Sequence, residues 1–468
     1  MEHKSQPKQP RTLAGRIGRA VGAEPGEVPA LLVACAYFFS LLCAYYILRP
    51  LRDEMGIQGG VEQLQWAFTG TFVVMLLAVP LFGWAVARYP RRRLLPVVYG
   101  FFIANLLIFY ALFQGDWARP WVARAFFIWV SVFNLFIVSV FWSFMADVFS
   151  NAQARRLFGV IAAGGSAGAV VGPALTAVLS TRIGTAELLL VSVAFLLACL
   201  LCVRALLRWR QRPETSGAAG VLGVPGAAGV RTVTQGADDA DAAIRGGVLE
   251  GAARVLRSPY LLVICLFVLL YTSLSTFLYF EQAHIVRAAF DDPARRTALF
   301  AGIDLAVNAL TLLAQLFVTA RLIARLGLGA TLALVPLGLA LGFAALALQP
   351  IVGVLIALQV LRRAGNYAFT RPGREILFTV LPRTDKYKSK NFIDTVVYRG
   401  GDALSAWAFA GLAGLGLGLS AIAWLAVPLA LLWAGLGVWL GRRQELLRHN
   451  PPAPASPILA SDAAARRE

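Results

Sequence analysis

SPYLLVICLFVLLYTSLSTFLYFEQ, residues 258–282, holds no charged side chain before Glu281 and no helix breaker after Pro259. At about 1.5 Å of rise per residue, such a run forms a helix long enough to cross a hydrocarbon core of about 30 Å. Eleven further apolar runs lie near 28–48, 64–87, 94–113, 121–146, 157–181, 186–207, 298–322, 330–349, 351–372, 391–416 and 420–440. Six fall on either side of residues 208–257, a Gly- and Ala-rich stretch with ETSGAAGVLGVPGAAG at its centre. The expected fold is therefore an all-α polytopic membrane protein, with twelve transmembrane helices in two pseudo-symmetric six-helix halves. Its expected parts are a cytoplasmic tail over 1–27, a bundle over 28–207, a mobile cytoplasmic linker over 208–257, a second bundle over 258–440 and a tail over 441–468. The PPAPASP in that last tail reads as disordered.

Composition agrees with this assignment. Of 468 residues, 58% are hydrophobic and 15% charged, and the mean hydropathy is +0.68, which excludes an ordinary water-soluble enzyme. The formal charge of +18 does not call for nucleic acid, because placing both termini in the cytoplasm puts 32 of the 43 Lys and Arg in or beside inner segments and 8 in or beside outer ones. The partner implied is the lipid bilayer, with no nucleic acid. The N-terminal 27 residues lack a short apolar region with a small-residue cleavage site, so the first span is expected to stay in the mature chain. Cys35, Cys43, Cys199, Cys202 and Cys265 all sit in apolar runs, which favours buried packing over disulfides. His3, His284 and His449 are read as lying outside the spans, leaving no intramembrane imidazole. With no G-x-x-x-x-G-K-[ST] loop and no metal or nucleophile constellation, neither an enzyme nor an ATP-driven pump is expected, and no cofactor.

A charge inside a spanning helix costs about 2.5–3.5 kcal/mol on insertion scales, so such residues mark candidate function. In the eighth span Asp304, Asn308, Thr311 and Gln315 recur at helical spacing and form one polar stripe. The tenth carries Arg362, Asn366 and Thr370 beside Arg363, Tyr367, Arg371 and Arg374; the eleventh carries Asp394, Tyr398 and Asp402, with Arg399 offset. In the first, Tyr45, Arg49 and Arg52 share a face next to Pro50, where Asp53 and Glu54 are within reach to neutralise them. The third, sixth, ninth and twelfth spans are almost free of charge, as outer, lipid-facing helices would be. Arg362 and Arg363 have no carboxylate in their own helix segment, and a guanidinium fork suits phosphate or carboxylate.

Some strings are more specific. Gly83-Trp-Ala-Val-Ala87-Arg88-Tyr-Pro90-Arg91-Arg92-Arg93 follows the second span, and Ala324-Arg325-Leu-Gly327 follows the eighth. Both resemble the loop motif G-x-x-x-D-R-x-G-R-R of the major facilitator superfamily, with Ala87 and Ala324 in place of its Asp. Gly164, Gly168 and Gly172-Pro173 resemble that superfamily's fifth-span motif, although small-xxx-small helix packing explains the same residues.

Tyr46-Ile-Leu-Arg49-Pro-Leu-Arg52-Asp53 with Gly60-Val-Glu62 is similar to a Y-x-I-L-R-x-L-K-D and G-A-E region of the nucleotide transporters, the ATP/ADP antiporters of plastids and intracellular bacteria. Phe141-Trp142-Ser-Phe144-Met-Ala146-Asp147, with Gln153-Ala154-Arg155-Arg156-Leu-Phe158, resembles their F-W-G-F-A-N-D and E-A-K-R-F. Pro372-Gly-Arg374-Glu375 through Leu381, then Lys386-Tyr-Lys388-Ser-Lys390-Asn-Phe-Ile393-Asp394-Thr-Val396-Val397-Tyr-Arg399, resembles P-T-K-E-M-A-Y-I-P-L and K-x-K-G-K-A-A-I-D-V-V-x-R. Where that family continues R-x-G-K-S-G, this chain has Asp402 in place of the cation.

The resemblance implies a secondary transporter exchanging nucleotide by alternating access in a bacterial inner membrane, working as a monomer on a small, phosphate-bearing anion. Arg49, Arg52, Arg362, Arg363, Asn366 and Arg399 are the expected substrate contacts. By half-to-half symmetry, Asp147 with Arg88 and Glu375 with Arg325 are the expected cytoplasmic gates. Asp304, Arg374, Lys388, Lys390, Asp394 and Asp402 are expected in gating or coupling. An alternative is proton-coupled transport of another organic anion or a lipid head group, with Asp304, Asp394 or Asp402 titrating.

Overall fold

The computed structural model describes residues 23–24, 26–89, 91–115, 119–211 and 248–449, without the side chains of 82, 85–87, 91–93, 248–250, 383–384, 387 and 391. Every regular element in that range is helical. The first half holds α1 (Val28–Gln58), α2 (Leu64–Arg88), α3 (Arg91–Gln114), α4 (Arg119–Val148), α5 (Asn151–Leu179) and α6 (Glu187–Arg210). The second holds α7 (Pro259–Ala289), α8 (Pro293–Phe317), α9 (Thr319–Leu348), two segmented rods, and α12 (Leu419–His449). Of the rods, α10 runs as Val352–Gly365, a π turn Asn366–Thr370 and Arg371–Leu377, and α11 as Arg383–Phe392, a π turn Ile393–Val397 and Tyr398–Gly414. Among the described residues ten helices are individually long and apolar enough to cross a membrane, and the two rods divided by π turns supply the rest of the expected twelve.

The helix starts follow from local chemistry. Ser150 and Gln153 form a reciprocal capping box at α5, Ser258 caps α7 with Pro259 in its first turn, and Asp292 caps α8 ahead of Pro293. Within α10, Pro372 has no N–H to offer the Ala368 carbonyl, and the chain widens into the π turn before it. The freed carbonyls find side-chain donors: Gln315 Nε2 donates to Tyr367 O at 3.1 Å and Thr319 Oγ1 to Ala368 O at 3.0 Å. Inside α9 the chain breaks at Gly327, whose φ of 77° is a left-handed conformation that favours glycine.

Several sequence boundaries need correcting. Residues 248–257 of the expected linker form a helix, Val248–Arg257, docked on the start of α11, where Arg254 pairs with Asp385. The α12 helix continues past 440 to His449, so the expected tail begins as helix. α7 runs on past the expected span to Ala289, so that His284 is helical and two residues beyond the apolar run. The rest of the linker, 212–247, and most of both tails lie outside the described residues.

Each half builds its own core, one around Tyr37, Phe126 and Phe141, the other around Phe267, Phe343 and Trp433. The second core also takes in Ile57, Val61 and Leu64 from the first half. The five cysteines are free. Helices α5 and α1 approach at backbone contact: a Cβ on Gly168 would lie 2.3 Å from the Phe39 carbonyl oxygen, and one on Gly164 would lie 2.7 Å from that of Cys35. These glycines thus serve close helix packing, as the small-xxx-small reading had it. Gly168→Val is expected to lower unfolding stability by at least about 1–3 kcal/mol, the usual cost of overpacking. Thermal unfolding of the purified variant in detergent checks this, and an unchanged midpoint would mean that α1 shifts freely.

Candidate functional site

Both ends of the described bundle, Val28 and His449, lie on the same side, the terminus end; the turns at 59–63, 290–292 and 349–351 lie at the far end. Between the halves sits a cavity of about 210 Å³ lined by α1, α2, α4, α7, α10 and α11. Two adjoining regions, of about 330 and 600 Å³, share Asn134 and Tyr367 with it and extend past Arg371, Arg374, Ser139 and Gln315 toward the terminus end.

The cavity wall brings together every residue expected to contact substrate: Arg49, Arg52, Arg362, Arg363, Asn366 and Arg399. Arg362 is buried, and its Nη1 donates to Ser275 Oγ at 2.5 Å and its Nη2 to Gln359 Oε1 at 2.9 Å, so uncharged partners hold its fork in place. Arg52 lies over the Phe127 ring at 4.1 Å, with Asp53 3.9 Å away. Arg399 pairs with Asp402 at 3.6 Å.

Arg363 is not unpartnered, as its own helix suggested. Its Nη2 and Arg49 Nη1 both approach Asp304 Oδ1 at 2.5 Å, so one carboxylate on α8 engages guanidiniums from α1 and α10. Counting Asp304 behind the wall, five arginines meet three carboxylates, those of Asp53, Asp402 and Asp304, an excess of two positive charges. Tyr45, Phe68, Phe127 and Tyr271 add aromatic faces. Further along the α8 stripe, Asn308 donates to the Ala169 carbonyl of α5 at 2.6 Å, joining the halves.

The gates differ from the symmetric expectation. Glu375 does not meet Arg325: it pairs with Lys390 at 2.5 Å, while Arg374 pairs with Asp394 at 2.8 Å and Arg325 is exposed. The π turns and the sharp connection between α10 and α11 bring Lys390 and Asp394 back onto the end of α10, which linear symmetry with the first half does not anticipate. Arg88 is exposed at the end of α2 and Asp147 half-buried at the end of α4; Lys388 lies on the helix Arg383–Phe392.

Charged pairs join the halves at the far end as well, through a residue that the sequence did not single out. Arg296, on the first turn of α8, grips Glu54 of α1 with two bonds, Nε to Oε2 at 2.8 Å and Nη2 to Oε1 at 2.7 Å, both residues being buried. Tyr279 OH donates to Asp53 at 3.0 Å, Arg287 pairs with Glu62 at 3.0 Å, and Trp407 donates to Thr69 at 3.0 Å. The available signal was register: once Asp292-Pro293 starts α8, Arg296 falls two steps of four before Asp304 on the same face. The neighbouring Glu281 of α7 is buried with neither carboxylate oxygen hydrogen-bonded among the described residues. Glu281→Met is accordingly expected to raise stability by about 1–3 kcal/mol, the cost of an unsatisfied buried polar group. A lowered thermal midpoint would show that the carboxyl has a partner in the membrane.

No curated protein matches the sequence. Solved structures do resemble the fold. A bacterial homologue of the iron transporter ferroportin, in an inward-facing state, has a TM-score of 0.59 at 13% identity, with 88% of this chain and 98% of that one covered. The nucleoside transporter NupG has 0.57 at 12%, with 89% and 99% covered, and a bacterial homologue of the human lysosomal transporter Spinster, inward-facing and unoccupied, has 0.55 at 14%, with 90% and 98% covered. Residues 30–372 match a family defined by sequence. With two helical halves around a central polar cavity and that match over most of its length, the chain belongs to the Major Facilitator Superfamily.

Proposed function

We propose that this protein is a secondary transporter of a small phosphate-bearing organic anion, most concretely a nucleotide, exchanged across a bacterial inner membrane by alternating access of its two halves. The observation that carries the reading is the gathering of Arg49, Arg52, Arg362, Arg363 and Arg399 on one cavity between the halves. An excess of two positive charges matches a mono- or diphosphate better than a triphosphate, and the aromatic faces suit a flat ring. The three strings similar to ATP/ADP antiporters support the same solute class. The basic loops orient both termini to the cytoplasm, so the terminus end is the inner mouth. When the halves rock, the ends of α2 and α4, with Arg88 and Asp147, move to close it.

Counterflow of labelled ATP, ADP and phosphate in liposomes containing the purified protein tests this. The expected result is exchange that needs nucleotide on both sides, faster for ADP than for ATP. No movement of any of these anions by folded protein would overturn the reading. Uptake that vanishes when a proton gradient is collapsed would favour a proton-coupled carrier of another anion.

A further inference from the structure

Asp304 occupies an unusual position. It is fully buried, and it is absent from the lining of the cavity that Arg49 and Arg363 face. Both guanidiniums nevertheless converge on a single oxygen, Oδ1, at 2.5 Å, while Oδ2 has no hydrogen-bond partner and Arg363 Nε is likewise unserved. A carboxylate built purely to brace two arginines would engage both of its oxygens, since bidentate pairing is the stronger arrangement. Here one oxygen touches both guanidiniums, while Asp304 Oδ2 and Arg363 Nε stay buried without a hydrogen-bond partner among the described residues.

We infer that Asp304 is a built-in counter-anion, holding in the empty carrier the two guanidiniums that a bound phosphate-bearing anion takes over. The inference rests on the anion-transport reading and adds the device that lets the empty site exist. Without a counter-anion, Arg49 from one half and Arg363 from the other would repel across the cavity. With Asp304 between them the halves stay joined whether or not substrate is present. On binding, the oxygens of the anion replace Asp304 Oδ1 at both forks, and the same two helices are bridged by substrate. The internal carboxylate therefore competes with the substrate, keeping affinity moderate and letting the anion leave the site for its exchange partner.

Asp304→Asn removes the competitor and retains the shape. Equilibrium binding of labelled pyrophosphate to the purified, detergent-solubilised protein is expected to tighten by at least about tenfold. In liposomes, exchange should persist and half-saturate at an anion concentration lower by a similar factor. If the wild-type protein binds pyrophosphate but the folded variant binds equally or more weakly, Asp304 is a brace and the inference fails alone. If neither binds pyrophosphate, phosphate or ADP, the anion reading fails and takes the inference with it. Should Asp304→Asn not accumulate as folded protein, the double variant Asp304→Asn/Arg363→Gln, which restores the net charge of the triad, substitutes for it. It is compared with Arg363→Gln alone: binding at least about tenfold tighter in the double variant is expected, and equal or weaker binding would overturn the inference.

Discussion

Replacing Arg296 by Gln is expected to open the far end of the molecule. Glu54 would be left fully buried without its cation, with only the Gln58 amide beside it, at 2.9 Å. Removing one partner of a buried, bidentate ion pair costs about 3–5 kcal/mol, and the least expensive escape for this carboxylate is toward water through the seam it closes. Such a penalty falls on the far-closed state alone and shifts the closed-to-open ratio by about 10²–10⁴. Spin labels at Arg182 in the first half and Leu415 in the second, both exposed at the far end, should report a longer distance distribution. Arg296→Lys, which keeps charge but loses the fork, should fall between. The double variant Glu54→Gln/Arg296→Gln, with no uncompensated charge, should close again. Unchanged distances in a folded Arg296→Gln protein would show that Tyr279–Asp53 and Trp407–Thr69 hold the seam without it.

The second large effect belongs to the cavity. Arg362→Gln is expected to weaken binding of the transported anion by about 2–3 kcal/mol, about 30- to 150-fold, the value of a buried charge-assisted hydrogen-bond fork. Its present partners, Ser275 and Gln359, are neutral, so removing the guanidinium strands no buried carboxylate and the protein should stay folded. This separates binding from stability in a way that charge reversal at Arg363 does not, since Glu at 363 would face Asp304. Titration of the purified variant with ADP and pyrophosphate, alongside its thermal midpoint, checks the prediction. Undiminished affinity in a folded variant would remove Arg362 from the site.

Much of this was legible before any coordinates. Arg49, Arg52, Arg362, Arg363 and Arg399 stood out because a charge in an apolar run is costly, and the structure gathers all of them on one cavity. Their partners were harder to read. Asp304 was visible as the head of a polar stripe, but not as the joint partner of Arg49 and Arg363, because periodicity reports the face a residue occupies and not which helix packs opposite. Arg296 was hidden as one more basic residue next to a turn, and Lys390 and Asp394 reach Glu375 and Arg374 only through the π-bulged rods and the connection between them.

The sequence by itself determined the apolar spans, their division into two halves and the rows of polar residues that must turn inward, since hydrocarbon and helical geometry act on each run locally. Tertiary structure alone decided the pairings: Glu54 with Arg296, Asp304 with two arginines, Glu375 with Lys390. An ion pair's strength depends on distance and shared burial, and residues more than two hundred positions apart, as Glu54 and Arg296 are, acquire both only when the halves meet.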